Sequence, residues 1–482
     1  MQRFIIYLAP LILLVTSCKK WLDVKPVTQV AAEQLFTTSE GYEEALDGIY
    51  TRCSQRNLYG TELTMGLPDV LALDWLINPN GDYLNYLQSS LYNYKDANFI
   101  SKKDTIWGGL YNAIANDNLL LQHVDSGKVL SAMEYSLIKG EALALRAYLH
   151  FDVLRLFAPS YLTGSGTAAI PYVTTFSNKV TPTSNVASVL KLILKDLNDA
   201  KTLLRQVDPI LSAAYVVGYP GDTAAKEISS PTLFLQNRRH RLNYYAVCGE
   251  LARAYLYMGD KTNALSNALE VINSKKFPWT KQADFINPDP RLKDRILYNE
   301  LLFAWPIPTY TDTLTRYFGS GGNSLYITPD MASSVYETSG SGASDLRYKQ
   351  WFNPGSYISL MKYSRDADTN RHPLVAPAMR LSEMYYIAAE SSYASDPVTA
   401  LSYVDSVRSA RGVDILQVTS PDDFMTELVK EARKEFYGEG QLFYMYKRLN
   451  RGIVGPTGIV NAPLDKTFVL PLPLNEIEFG GR

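Results

Sequence analysis

Apolar residues recur at intervals of three and four over several long stretches of this chain, the spacing of a helix with one buried face. Tyr42, Ala45, Leu46 and Ile49 follow that spacing behind Ser39, a residue suited to an N-cap. "IWGGLYNAIANDNLLLQHV" and "EYSLIKGEALALRAYLHFDVLRLF" predict two further helices. Leu137, Ala144, Ala147, Phe151 and Leu154 share one face of the second, and Pro159 ends it because its ring has no N–H to donate. Residues 184–205 return to helical spacing, whereas 66–100 and 160–185 lose periodicity and read as irregular.

Two helical stretches share a finer pattern. In "ELARAYLYMGDKTNALSNALEVI", Ala252, Tyr255, Gly259 and Ala264 stand three, four and five residues apart. In "YYIAAESSYASDPVTALSYVDSVRSARG", Ala388, Ser391, Ser395 and Ala400 repeat those intervals. Small residues where two helices touch, followed by a turn, resemble the tetratricopeptide pattern and predict antiparallel helix pairs. The two are too far apart for a tandem array. The largest segment between them, 275–380, is rich in Pro, Gly, Ser and Tyr, with short strands expected at "LLFAWPI" and "SYISLMKY".

The beginning of the chain has a different character. Phe4 to Val15 is almost wholly apolar behind Arg3. A dozen such residues is too short for a membrane span, which needs roughly 20, and fits the apolar core of a secretory signal. Val15-Thr16-Ser17-Cys18 then resembles the lipobox of bacterial lipoproteins, in which the signal is cut before a Cys that is acylated. Residues 1–17 are therefore expected as a signal peptide, and 18–40 as lipidated Cys18 and a linker. One acyl chain anchors only marginally, so stable tethering takes more than one.

Composition narrows the functional classes. The formal charge of −2 gives no basic stripe for nucleic acid. Beyond Cys18 only Cys53 and Cys248 remain, which is no disulfide framework, and two buried free thiols are expected. Aromatics make up 12% of the chain, with 34 Tyr, and that surplus requires a role.

Several spaced segments together resemble the SusD/RagB outer-membrane lipoproteins of Bacteroidetes-type bacteria. "CKKWLDVKP" follows the lipobox, and "IWGGLYNAIANDNLLL" resembles the family's Trp-x3-Tyr-x2-Ile-x2-Asn segment. "ALRAYLHFDVLRLFAP", "RLSEMYYIAAESSY", "EARKEFYGEGQLFYMYKR" and "VLPLPLNEI" follow in family order. Leu442 and Met445 stand where the family usually has Arg and Asp, an ion pair replaced by apolar residues.

The resemblance implies a mainly α fold, with a tetratricopeptide-like scaffold, long irregular segments and a few short strands. It implies one globular unit over 41–482, its N-terminal part at about 20–230 and its C-terminal part at about 300–482. It also implies a lipid-anchored, non-catalytic protein, without a cofactor, on the outer-membrane surface. Such a protein binds glycans, or sometimes peptides, and delivers them to a TonB-dependent transporter. Many members carry an acidic export signal after the Cys. Here Lys19-Lys20 occupy that place and Asp23 is the first acid, which weakens surface exposure more than anchoring.

Other chemistries find little support. The four histidines, His123, His150, His240 and His372, are isolated from any zinc spacing. "DADTN", 366–370, begins like a calcium loop but has Arg371 in place of the turn glycine. "GSGG", 319–322, lacks the Lys-Ser/Thr of a phosphate loop. Glu431, Glu435 and Glu439 lie at i, i+4 and i+8. One stripe cannot place two carboxylates across a sugar, so a structural role with partners such as Arg433 or Arg448 is expected. A helical glycoside hydrolase and a protein-binding tetratricopeptide scaffold are the alternative readings.

The aromatics divide by context. Trp107, Tyr111, Tyr148, Phe151, Tyr255 and Phe443 lie on helical faces and are expected in the core. Trp75, Tyr83 and Tyr86 sit instead in a polar loop with Asp74, Asn78, Asn80 and Asp82. Sugar rings present C–H faces to aromatic rings and hydroxyls to amides and carboxylates. The expected site therefore has Trp75 stacking a sugar and Tyr83 or Tyr86 flanking it. Asp74, Asn78 or Asn80 accepts its hydroxyls, and Tyr317 extends the surface from the loop that also holds Tyr310 and Phe318.

Overall fold

A computed structural model describes residues 34–307, 311–319, 323–365, 370–418, 420–455, 458, 460–462 and 464–480. The signal segment, Cys18, Lys19, Lys20 and Asp23, as well as Tyr310 and most of "DADTN" and "GSGG", lie outside them. No helix among the described residues is long and apolar enough to cross a membrane.

Long helices dominate, and side-chain caps mark their starts. They are α1 (Ser39–Cys53), α2 (Ala97–Ser126), α3 (Ala132–Phe157), α4 (Val186–Val207), α5 (Tyr244–Met258) and α6 (Lys261–Ser274). The carboxylate of Asp96 accepts the Asn98 and Phe99 N–H groups at the head of α2, and Ser131 and Glu134 form a reciprocal capping box at the head of α3. From Leu137 onward nearly every side chain of α3 is buried, so this helix is the axis on which α1, α2 and α4 pack. The predicted core aromatics Trp107, Tyr148, Phe151 and Phe443 are buried, and Tyr111 and Tyr255 partly so.

The chain continues through α7 (Thr311–Phe318), α8 (Leu381–Ser392), α9 (Pro397–Ala410), α10 (Pro421–Glu435) and α11 (Leu442–Leu449). Both tetratricopeptide-like stretches form helix pairs, α5 with α6 and α8 with α9. Although more than a hundred residues separate them, α6 packs on α8, so the pairs stack as neighbours. Ala252, Ala264, Ala388 and Ala400 are all fully buried at these approaches. Gly259 closes α5 in the left-handed region, φ 84°, where glycine carries no Cβ penalty.

Strands are few and short. β1 (Leu301–Pro306), the expected "LLFAWPI" strand, pairs antiparallel with β2 (Val375–Arg380). "SYISLMKY" yields only Ser359–Leu360, paired with Phe352–Asn353. Cys53 and Cys248 are buried and free, and burial pushes the Cys248 thiol up to about 12.

The glutamate stripe has different partners from those expected. Glu431 binds Arg347 at 3.0 Å and also Arg408 and Lys434; Glu435 binds Arg380 at 2.5 Å and Arg411 at 2.7 Å. Glu439 lies beyond the end of α10 and binds Arg380 at 2.9 Å and Lys362. Arg433 turns instead to Asp74, and Arg448 to Glu390. Burial raises the Glu431 carboxyl, but Arg347, Lys434 and Arg408 outweigh it and hold the group at about 2. Leu442 is buried and Met445 packs partly against the core.

Candidate functional site

The polar loop that follows residue 72 is fastened to the scaffold at its root. The Asp69 carboxylate accepts the backbone N–H of Gly438 at 2.7 Å and of Gly440 at 2.8 Å. A Cβ on Gly440 would stand 2.6 Å from the Leu63 carbonyl oxygen, so this approach requires glycine. Next along the chain, Arg433 Nε lies 3.2 Å from Asp74, and another guanidinium nitrogen donates to the Leu73 carbonyl at 2.8 Å. Burial pushes the Asp74 carboxyl up despite Arg433.

This anchoring corrects the expected stacking site. Asp74 is fully buried, and Trp75 is 2% exposed, its ring against Phe318 at 5.5 Å and Tyr437 at 5.2 Å. Tyr86 and Tyr317 are buried as well. The Tyr86 hydroxyl donates to Glu62 Oε1 at 2.9 Å and meets the Tyr317 hydroxyl at 3.0 Å, while Tyr317 reaches Glu62 Oε2 at 3.4 Å. Lys102 Nζ stands 4.3 Å above the Tyr86 ring and 3.9 Å from Glu62. With no face open to solvent, Trp75 and Tyr86 cannot stack a ligand here, Asp74 cannot accept its hydroxyls, and Tyr317 extends no surface. These four residues hold the loop from beneath.

What the loop does present is its tip. Tyr83 is 66% exposed, Asn80 is exposed and Asn78 half-buried. The Asn78 side chain accepts the Asn80 N–H at 3.0 Å, and Asp82 accepts the Tyr86 and Leu87 N–H groups at 2.9 and 2.7 Å. These Asx-type bonds give a loop with no apolar periodicity a fixed shape.

A second segment is laid against this tip. The Leu76 N–H donates to the Tyr326 carbonyl at 2.8 Å, and Arg316 donates to the Tyr83 carbonyl at 3.3 Å. Gly81 packs directly on Asn323: a Cβ there would lie 2.0 Å from the amide oxygen. Ile327 in turn exchanges both backbone bonds with Ile358, each at 2.9 Å. The neighbours of these two isoleucines, Tyr326 and Tyr357, stand edge to face with ring centres 4.9 Å apart. Tyr357 is 48% exposed and Tyr326 half-buried, and burial raises the Tyr326 hydroxyl.

Three segments thus place tyrosines and amides on one irregular face: Asn78 to Tyr83, Asn323 to Tyr326 with Arg316, and Tyr357. Among the expected residues Asn78, Asn80 and Tyr83 belong to it. Arg316, Asn323, Tyr326 and Tyr357 were not anticipated. "NPGSYIS" around Tyr357 carries the same cue as the first loop, an aromatic among Asn, Pro, Gly and Ser, but its apolar alternation reads as a strand.

The face suits flat, hydroxyl-bearing ligands, with rings for C–H contacts and amides for hydroxyls. Among the described residues no group of three or more His, Cys, Asp or Glu is placed to hold a metal. The buried Glu431 and Glu435 are saturated by arginines and do not face each other across a cleft.

Comparison with known proteins agrees with this architecture. Residues 20–215 match the family described as "Starch-binding associating with outer membrane", and residues 273–451 match the SusD family. SusD-like protein P38 of Formosa agariphila is 20% identical over 512 aligned residues, spanning 95% of this chain and 92% of its own. SusD-like protein P25 of the same organism is 24% identical over 215 residues, 43% of this chain and 39% of its own. A SusD superfamily protein from Bacteroides thetaiotaomicron superposes with a TM-score of 0.72 at 22% identity, covering 92% of this chain and 98% of its own. A SusD-like carbohydrate binding protein from Bacteroides vulgatus does so with 0.71 at 17%, covering 92% and 96%.

Proposed function

Because this chain belongs to the SusD/RagB family, we propose that it is a non-catalytic, lipid-anchored glycan-binding protein that passes its ligand to a TonB-dependent outer-membrane transporter. The observation that carries the binding role is the face on which Tyr83, Tyr326 and Tyr357 stand among Asn78, Asn80 and Asn323. A solved relative described as carbohydrate binding, and a matched family described as starch-binding, support the same ligand class. Cys18 supplies the anchor in this reading, and the outer-membrane association in the family description supports the location.

Each exposed ring contributes about 0.5–1.5 kcal/mol. Micromolar affinity corresponds to about −8 kcal/mol, so the ligand must span several rings and amides at once. An oligosaccharide or polysaccharide fits that requirement better than a single sugar. Titration of the mature protein with a panel of soluble starch, xylan, laminarin, pectin and mannan tests the ligand class, with intact polymer recovered afterwards. Absence of binding across the panel, or release of shorter products, would overturn it. Mild detergent extraction should recover a barrel transporter with the protein, and extraction that recovers none would overturn the delivery role.

A further inference from the structure

Apart from the tyrosine face, a cleft of about 660 Å³ opens between α1, the segment 233–241 and the ends of β1 and β2. Small-molecule sites occupy about 300–1,000 Å³. Ser54, which lines the cleft, is 4% exposed, and its hydroxyl finds no hydrogen-bond partner among the described residues. A buried hydroxyl in that condition is unfavourable until something bonds to it. Leu233 is 83% exposed at the cleft, a large apolar side chain that the core does not take in.

The charges around the cleft are already matched. Arg241 binds Glu141 at 3.1 Å and Asp47, and it stacks over Phe234 at 4.4 Å. Burial and the neighbouring Arg239 bring His240 down to about 4, which leaves it neutral at pH 7. An ionic ligand would therefore find no unmatched partner. Hydrogen-bonding groups remain: the Gln236 amide nitrogen donates to the Ser230 carbonyl at 2.7 Å, leaving its oxygen as an acceptor. The Asn237 amide makes no side-chain bond among the described residues.

We propose that this cleft is a second ligand site for one or two neutral sugar rings, bonded by the Ser54 hydroxyl and the Gln236 and Asn237 amides. Leu233, Pro306 and Pro373 take the C–H faces. The proposal rests on the glycan-binding reading and adds a place for a chain end or short oligosaccharide beside the extended tyrosine face. A peptide fits less well. Peptides added as strands need an open row of N–H and C=O groups. Here Pro306 and Pro373 have no N–H, the Leu302 carbonyl is taken by Asn243 at 2.8 Å, and the Ile307 N–H by Leu374 at 3.1 Å.

The test soaks crystals of the protein with maltose, cellobiose, lactose and the methyl glycosides of glucose, galactose and mannose. A parallel soak uses an end-blocked tri-alanine peptide. The binding sugar is then titrated into wild type and Thr51→Trp, a bulky change at an exposed α1 position beside the cleft. The expected result is a sugar within hydrogen-bond distance of Ser54 Oγ and at least tenfold weaker binding by Thr51→Trp. The variant's affinity for polymer on the tyrosine face stays unchanged. A cleft that takes none of the sugars, a Thr51→Trp variant that binds the sugar like wild type, or the peptide seated there instead would each overturn the proposal. Polymer binding alongside any of these defeats this site alone; loss of polymer binding in the wild type defeats the reading beneath it.

Discussion

The Tyr86 hydroxyl donates to the Glu62 carboxylate at 2.9 Å in the interior, and this bond ties the outer loop to the segment that precedes it by 24 residues. Tyr317 joins the same carboxylate from α7, so one buried acid gathers both halves of the tyrosine face. Tyr86→Phe removes a donor and leaves a buried carboxylate oxygen short of a partner, which costs about 1–3 kcal/mol. Chemical denaturation should show that loss, with weaker glycan binding because the loop tip shifts. An unchanged midpoint would mean that the bond does not hold the loop.

The scaffold makes a separate prediction. Ala252 is fully buried where α5 meets its neighbours, and overpacking such a site costs about 1–3 kcal/mol. Ala252→Leu should lower the melting temperature while glycan affinity per folded molecule stays constant. Loss of affinity in the folded fraction would show that the scaffold and the binding face are not independent.

The scaffold could be read from sequence because small residues at fixed intervals state both the helix and its close approach. Ala252, Ala264, Ala388 and Ala400 needed no knowledge of distant contacts. The stacking of α6 on α8 did, since it depends on where more than a hundred intervening residues lead. The loop from Asp74 to Tyr86 is legible only as irregular and polar. Whether Trp75 turns in or out is decided by Phe318 and Tyr437, which are hundreds of residues away in the chain. Hydrogen-bonded turns set Tyr83 outward, and no periodic signal records them. Likewise the i, i+4, i+8 spacing of the glutamates reads as a structural stripe, but Arg347, Arg380 and Arg411 come from other segments, and no spacing pairs them with it.

Acid should expose that network. The folded Glu431 carboxyl lies near 2, below its ordinary value of 4.5. A depressed carboxylate stabilises fully above the unfolded value and loses that contribution as pH falls through the folded one. At 1.36 kcal/mol per unit this is about 3 kcal/mol, lost between roughly pH 4.5 and 2. Glu431→Gln should be less stable at pH 7, because Arg347 and Arg408 lose a charge partner. Its stability should then fall less steeply than wild type over that window. Parallel curves for the two proteins would rule out this account.

The anchor is tested by Cys18→Ala. If Val15-Thr16-Ser17-Cys18 is cut and acylated, the variant loses its thiol and leaves the membrane fraction, and native protein carries acyl mass at its N-terminus. Single-chain anchoring is reversible, so retention after a salt wash distinguishes multiple acylation from adsorption. A variant that still sediments with membranes, beside a native protein free of lipid, would refute the assignment.

The tyrosine face yields the last prediction. Tyr83 and Tyr357 are the two most exposed rings of the face, and their hydroxyls make no hydrogen bonds among the described residues. Removing either ring should therefore leave the melting curve nearly unchanged. Each ring contributes about 0.5–1.5 kcal/mol to a stacked sugar, so Tyr83→Ala and Tyr357→Ala should each weaken polymer binding about two- to tenfold. The rings lie on different segments, joined through the Leu76–Tyr326 and Ile327–Ile358 bridges. If one glycan spans both, the double variant should lose roughly the sum of the two free energies, as independent contacts do. If the rings serve separate ligands, the second substitution will leave the affinity of the first variant where it was. Wild-type affinity in the double variant would move the ligand off this face altogether.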